Sequence, residues 1–429
     1  MHSLLGAPPP LFRVETASVA SEWVLKGRAE YAQTAVRCPL SRPNQTRPHC
    51  MEHCMKQANS PEAIMRVCRH CECKLCAICY PARAAWWSSS TGVLHSTLTA
   101  TEPPFHFAYS PHDEDMTRMQ HQFVLEPALT MAWYEATAVC CRKGGLVIDV
   151  GSNFGWYSLY SIALGCDVIA IEPTPIWQNV LRLGLAINPG FASKLRLFGN
   201  VIYNKPGSYT LHGPSARLPH AGRKSRFLGM TGMVGTAGLI KGYNKDFTQI
   251  RAPAVRLDDF VREKSSIPTA NVNFPPLCSL TPFANVLPFS PPPQVFESAT
   301  RLLRDYSVPA LQFEITKGSK WRGDTMNAQT CMNLRMLVYL DASGFELREV
   351  NHKAVDSMHL PARSWAAEEV FSRLQVFPSN SSRRLAKKTG QHPMVVGFVH
   401  DIKTFSSNMV ARRVSKPRAR LEWPPEPHQ

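Results

Sequence analysis

No stretch of this chain stays apolar for the ~20 residues that a membrane-spanning helix needs, and its longest apolar runs are only strand-sized. The opening Met1-His-Ser-Leu-Leu-Gly-Ala-Pro-Pro-Pro has neither the basic start nor the apolar core of a signal peptide. Acid is scarce: 32 Asp and Glu face 48 Lys and Arg, for a net charge of +16. Gly229, Gly232, Gly235 and Gly238 lack the following lysine of a phosphate loop, so that stretch reads as a surface loop or lid. G-x-G-x-x-G is missing as well, which argues against a pyrophosphate-binding turn. What the chain does have is length, 429 residues, and a 44% hydrophobic content, enough for a large core.

Two apolar runs each end in a carboxylate. The first is Leu146-Val-Ile-Asp149-Val, leading into Gly151-Ser-Asn153-Phe-Gly155; the second is Asp167-Val-Ile-Ala-Ile-Glu172-Pro173. The first predicts a buried strand that breaks into a glycine turn and then a helix, so backbone N–H groups face whatever sits at the strand's carboxyl end. Open α/β sheets bind ligands at that edge. Glu172 follows Asp149 by 23 residues, close to the roughly 20-residue spacing at which an acid reaches a ribose diol. A turn with three residues between Gly151 and Gly155 suits S-adenosylmethionine, whose charged amino-acid end can meet a carboxylate and the loop backbone. The plainer alternative is an ordinary βαβ unit in which Asp149 caps the helix.

The strings Ile148-Asp-Val-Gly-Ser-Asn-Phe-Gly-Trp-Tyr157 and Ile171-Glu-Pro-Thr-Pro175 resemble the opening motifs of FkbM-type S-adenosylmethionine-dependent methyltransferases. Val255-Arg-Leu-Asp258-Asp-Phe260 resembles a later motif of that family, and the similarity spans roughly residues 123–350. The resemblance implies an α/β chain with the Rossmann-like, doubly wound sheet of a class I methyltransferase. It also implies S-adenosylmethionine as cofactor and a hydroxyl of a carbohydrate or small molecule as methyl acceptor. Asp149, Gly151, Asn153, Gly155 and Glu172 would then hold the cofactor. Asn200, after the third strand, is a candidate base contact. Asp258 and Glu314 are the carboxylates nearest the place where a general base would stand.

The chain departs from the family pattern between residues 264 and 293, where eight prolines occupy the place of an expected central strand. Proline cannot donate to a ladder, so the sequence predicts no regular central strand there and, if nothing else pairs beside residues 146–150, a breach beside the cofactor site with weakened binding. Ala284-Asn-Val-Leu287 is the only short stretch expected to fill it. Elsewhere the periodicity predicts a helix over residues 123–140 and another through Ile176, Val180, Leu183 and Ile187, stopped by Asn188-Pro-Gly. Met394-Val-Val-Gly-Phe-Val399 is expected to supply the closing antiparallel strand.

The resulting plan is an N-terminal extension (1–37), a cysteine-rich module (38–80), a linker (81–104), a methyltransferase-like domain (105–402) and a basic tail (403–429). Eight of the 13 cysteines fall in the module, with His49, His53 and His70 beside them. Their crowding does not follow zinc-finger spacing, so disulfides are the preferred reading and no metal ligands are assigned. The sequons Asn44-Gln-Thr and Asn380-Ser-Ser agree with the secretory pathway. The alternatives are a zinc-containing nucleic-acid-binding protein, supported by the clusters Arg383, Arg384, Lys387, Lys388 and Arg412, Arg413, Lys416, or a methyltransferase-like module without turnover. Those basic segments lack interleaved aromatics, read as disordered, and make nucleic acid the less favoured partner.

Overall fold

The computed structural model describes residues 24–25, 84–89, 92–110, 116, 119, 123–214, 232–233, 247–264, 277–282, 292–305, 308–316, 325–350, 374–402, 406–416 and 423. The cysteine-rich module, the glycine-rich loop around Gly229 and Ala284–Leu287 lie outside them. In chain order the strands are β1 (Val24–Leu25), β2 (Ala84–Ser89), β3 (Gly92–Leu98), β4 (His106–Tyr109), β5 (Leu146–Val150), β6 (Asp167–Ile171), β7 (Leu195–Phe198) and β8 (Val201–Ile202). They continue with β9 (Gly207–Pro214), β10 (Gly232–Met233), β11 (Phe247–Val255), β12 (Leu277–Pro282), β13 (Ala310–Thr316), β14 (Phe345–Val350), β15 (Gln375–Phe377) and β16 (Ser406–Arg413). The helices are α1 (Pro127–Cys141), α2 (Trp156–Ala163), α3 (Pro175–Ala186), α4 (Leu257–Lys264), α5 (Pro292–Ser298), α6 (Thr300–Asp305), α7 (Thr325–Ala342), α8 (Asn380–Thr389) and α9 (Pro393–His400).

Eight strands form the central sheet, in the order β15-β14-β16-β13-β12-β5-β6-β7. From β7 to β13 the pairs are parallel. β16 runs antiparallel between β13 and β14, and β15 pairs antiparallel with β14. After β5 the chain moves outward to β6 and β7, then returns to the other side of β5 as β12. The connection reverses there, and a reversal of this kind opens a crevice at the carboxyl ends of the strands.

Strand side chains alternate between faces. Val147, Val168 and Ala170 pack with α1, α2 and α3 in one core. Ile148, Ile169, Ile171, Leu311, Phe313 and Ile315 pack with α4 to α7 in the other. Helices therefore cover both faces of a mixed sheet, an α/β architecture. Two smaller sheets are not hydrogen-bonded to it: β1-β2-β3-β4 and β10-β9-β11-β8.

Four expectations are corrected. β12 occupies the position predicted to be breached, pairing with β5 from Leu277↔Leu146 to Pro282↔Val150 with one register shift, and with β13 at Leu280↔Leu311. The prolines flank it: Pro275 and Pro276 precede the strand and Pro282 is its last residue, so none lies in its interior. The predicted breach therefore falls away. Met394–Val399 lies in helix α9 rather than a strand. The closing strand is instead β16, beyond the boundary drawn at residue 402. The basic clusters are ordered: Arg383, Arg384, Lys387 and Lys388 sit on α8, and Arg412 and Arg413 on β16.

A disulfide joins Cys141, at the end of α1, to Cys166, just before β6. The adjacent Cys140 is also disulfide-bonded. The Cys141–Cys166 bond spans 25 residues of sequence, and closing a loop of that size restricts the unfolded chain by about 3 kcal/mol. The double variant Cys141→Ala/Cys166→Ala is expected to lose about that much stability, read as an earlier midpoint in urea unfolding.

Candidate functional site at the carboxyl edge of the sheet

The site is built where β5 and β6 end. Gly151 and Gly155 have φ of 75° and 85°, and Asn153 between them has φ of 50°. This left-handed run is open to glycine and tolerated by asparagine, and it turns the chain from β5 into α2. A side chain at Gly155 would be strained at that φ and would displace Leu181, whose Cδ1 lies 2.2 Å from where a Cβ would stand. The turn is fastened to the next strand by Gly151 N–H, which donates to the Ile171 carbonyl at 2.7 Å.

Glu172 closes the site from the β6 side. Its Oε2 accepts the Asn153 N–H at 2.9 Å and its Oε1 accepts the Thr174 N–H at 2.8 Å. The Thr174 side chain adds a further hydrogen bond to this carboxylate. The side chain is buried, and burial raises its pKa above the ordinary carboxylate value against the pull of those two N–H donors and the Thr174 side chain. Phe154 packs against Trp177 at 4.5 Å between ring centroids, placing an aromatic pair between the turn and α3.

Asp149 lies beneath the turn, 1% exposed, and its Oδ2 accepts from the Ser158 hydroxyl at 2.6 Å. Burial pushes its pKa up to about 7, partly offset by the Ser158 bond, with neighbouring Glu172 adding a smaller push upward. From about pH 4 to 7 the folded chain therefore keeps a proton that the unfolded chain has released. Stability contributed by the neutral group is present in acid and is lost as pH rises through 7. Asp149→Asn is expected to remove that dependence, so urea unfolding at pH 5 and pH 7.5 should show the variant gaining on the wild type at the higher pH.

Four unpartnered buried polar atoms belong to this turn and to α3. Asp149 Oδ1, Ser152 Oγ, Asn153 Oδ1 and Trp177 Nε1 are all buried without a hydrogen-bond partner. Buried polar groups in folded chains are ordinarily paired, so a cluster of four within one turn and the helix facing it is the arrangement of a site completed by a polar ligand.

The predicted cofactor residues Asp149, Gly151, Asn153, Gly155 and Glu172 thus come together at one edge. Asn200 lies past the end of β7, buried, with its amide 3.5 Å from the Pro253 carbonyl. Glu314 lies towards the carboxyl end of β13, half-buried, on the strand face opposite Phe313 and Ile315. Asp258 stands elsewhere: its two oxygens accept the N–H groups of Arg301 at 3.0 Å and Leu302 at 2.8 Å. It caps the first turn of α6, which the sequence does not foretell because the capped helix begins 42 residues later.

One residue absent from the sequence-based set belongs here. Glu126 precedes α1 in a left-handed conformation, φ 42° and ψ 68°, without capping its own helix. Its Oε2 instead accepts from the Tyr157 hydroxyl at 3.2 Å. The only trace of this in the sequence is Pro127, which marks the helix start.

No protein-family model matches this chain. No curated protein matches it either. Among solved structures it is similar to the methyltransferase FkbM from Methylobacillus flagellatus KT, with 12% identity and a TM-score of 0.24 over 44% of this chain and 37% of that one. A likeness this slight carries no argument about chemistry.

Proposed function

We propose that this chain is an S-adenosylmethionine-dependent methyltransferase of the class I type, acting on a hydroxyl of a carbohydrate or small-molecule acceptor. The observation that carries the reading is the group of four unpartnered buried polar atoms around the β5 turn, set beside a carboxylate at ribose spacing. A parallel sheet with its connection reversal at β5 and an antiparallel closing strand supports it too.

The cofactor supplies an electrophilic methyl group. The chain's part is to align the acceptor oxygen with that methyl and exclude water. Glu172 is suited to the ribose diol and the Gly151–Gly155 turn to the amino-acid end. With Asp258 committed to α6, Glu314 is the remaining carboxylate of the two for drawing a proton from an acceptor hydroxyl. Arg412 is paired with Glu135 at 2.6 Å and Arg413 lies against the sheet, which removes much of the support for a nucleic-acid interface. The Cys141–Cys166 bond favours maturation in an oxidising compartment.

Calorimetric titration of the full chain with S-adenosylmethionine and with its demethylated product, S-adenosylhomocysteine, tests the reading. Saturable binding of both at one site per chain is expected. Binding of neither sinks it.

A further inference from the structure

Within that reading, one carboxylate must face the α-amino group of the cofactor's amino-acid end, and Asp149 is poorly suited to it. It is buried beneath α2, bonded to Ser158, and disposed to keep its proton near neutral pH. Another acid is better placed. Helix α1 ends at Cys141, bonded to Cys166 at the amino end of β6, so its first turn lies at the opposite, carboxyl edge. There the first turns of α1 and α2 are tied together: Trp156 Nε1 donates to Thr130 Oγ1 at 2.9 Å and the Tyr157 hydroxyl donates to Glu126 at 3.2 Å. Tyr157 stands two residues beyond Gly155, so Glu126 meets the first turn of the helix that follows the glycine turn.

The backbone leading to Glu126 is unusual. Phe123 and Glu126 both adopt positive φ, 57° and 42°, in a segment whose last residue leaves its own helix uncapped. Strained non-glycine residues of this kind persist where neighbouring structure holds a side chain for a task. A second observation also points to a ligand. Gln312, 1% exposed on β13, lies against the Tyr157 hydroxyl, and apart from that contact its buried amide has no hydrogen-bond partner. Glu126, Tyr157 and Gln312 therefore form a polar group between the glycine turn and β13.

We propose that Glu126, braced by Tyr157, anchors the α-amino group of the S-adenosyl cofactor. The inference rests on the methyltransferase reading above. Its test compares two probes on the full chain, S-adenosylhomocysteine and 5′-methylthioadenosine, which keeps the nucleoside and sulfur but lacks the amino-acid end. Glu126→Gln retains an acceptor for Tyr157 and is expected to weaken S-adenosylhomocysteine at least tenfold while leaving 5′-methylthioadenosine within twofold. Tyr157→Phe, which keeps the carboxylate but removes its brace, should give a smaller loss confined to the same probe. Retained 5′-methylthioadenosine binding shows that each variant is folded. Unchanged S-adenosylhomocysteine affinity in Glu126→Gln, or equal loss of both probes, overturns the inference while leaving the cofactor reading intact. A wild-type chain that binds neither probe overturns both.

Discussion

Glu172→Ala is expected to lower S-adenosylmethionine affinity about 100-fold or more. Hydrogen bonds to a charged group are worth roughly 1.5 to 3 kcal/mol each, and about 1.4 kcal/mol is tenfold in affinity. Glu172 would offer two oxygens to a ribose diol, and the same oxygens also hold the N–H groups of Asn153 and Thr174. The substitution therefore removes ligand contacts and releases the turn in one step. Glu172→Gln, which keeps one acceptor oxygen and the side-chain shape, should fall between the two. Titration calorimetry on all three proteins checks the order, and an unchanged affinity in the alanine variant would falsify the ribose assignment.

Arg413→Ala should be among the most destabilising single changes in the chain. The guanidinium donates to the carbonyls of Val308 at 3.0 Å, Ser343 at 3.1 Å and Leu303 at 2.6 Å. It also lies over the Phe345 ring, 4.5 Å from its centroid. It thus joins the end of α6, the approach to β13, the end of α7 and the start of β14. Leaving partly buried carbonyls unpaired costs about 1 to 3 kcal/mol each, so a loss of about 4 kcal/mol is expected, a large part of the roughly 5 to 15 kcal/mol that holds a typical domain folded. Arg413→Lys should recover only a fraction, because an ammonium cannot reproduce a planar fork aimed at three oxygens. Urea unfolding of the three proteins measures the ranking; equal midpoints for wild type and alanine variant would remove the clamp from the account.

These two residues also mark how far the sequence could be read. The position of Glu172 was legible because strand, turn and acid are contiguous in the sequence. The same is true of β5, β6, α1 and α3, although the apolar Val139 on α1 is exposed while Trp133, Ala138 and Cys141 turn inward. Arg413 was not legible. Its partners are 70 to 110 residues away, and in the sequence it is one more cation in a basic stretch. β16 was hidden for the same reason, since Ser406-Ser-Asn-Met-Val-Ala-Arg-Arg413 has little of the apolar alternation that announces a strand. Met394–Val399 failed in the other direction, because a short apolar run does not distinguish strand from helix. In the proline-rich segment the count of prolines misled, and their positions mattered more. Glu126 could not have been found from spacing, because it is a backbone conformation that turns its side chain towards Tyr157.

The place of β16 in the sheet has a consequence for how the chain is made. β14 reaches β13 only through β16, so as the polypeptide emerges both strands present bare ladders until Ser406–Arg413 arrives. At about 5 to 20 residues per second of synthesis, the roughly 55 residues between β14 and β16 leave those edges open for several seconds. Unpaired edges of this kind recruit strands from other chains. Nascent molecules therefore pass through an interval of heightened self-association whose length is set by the distance in sequence between two neighbours in space.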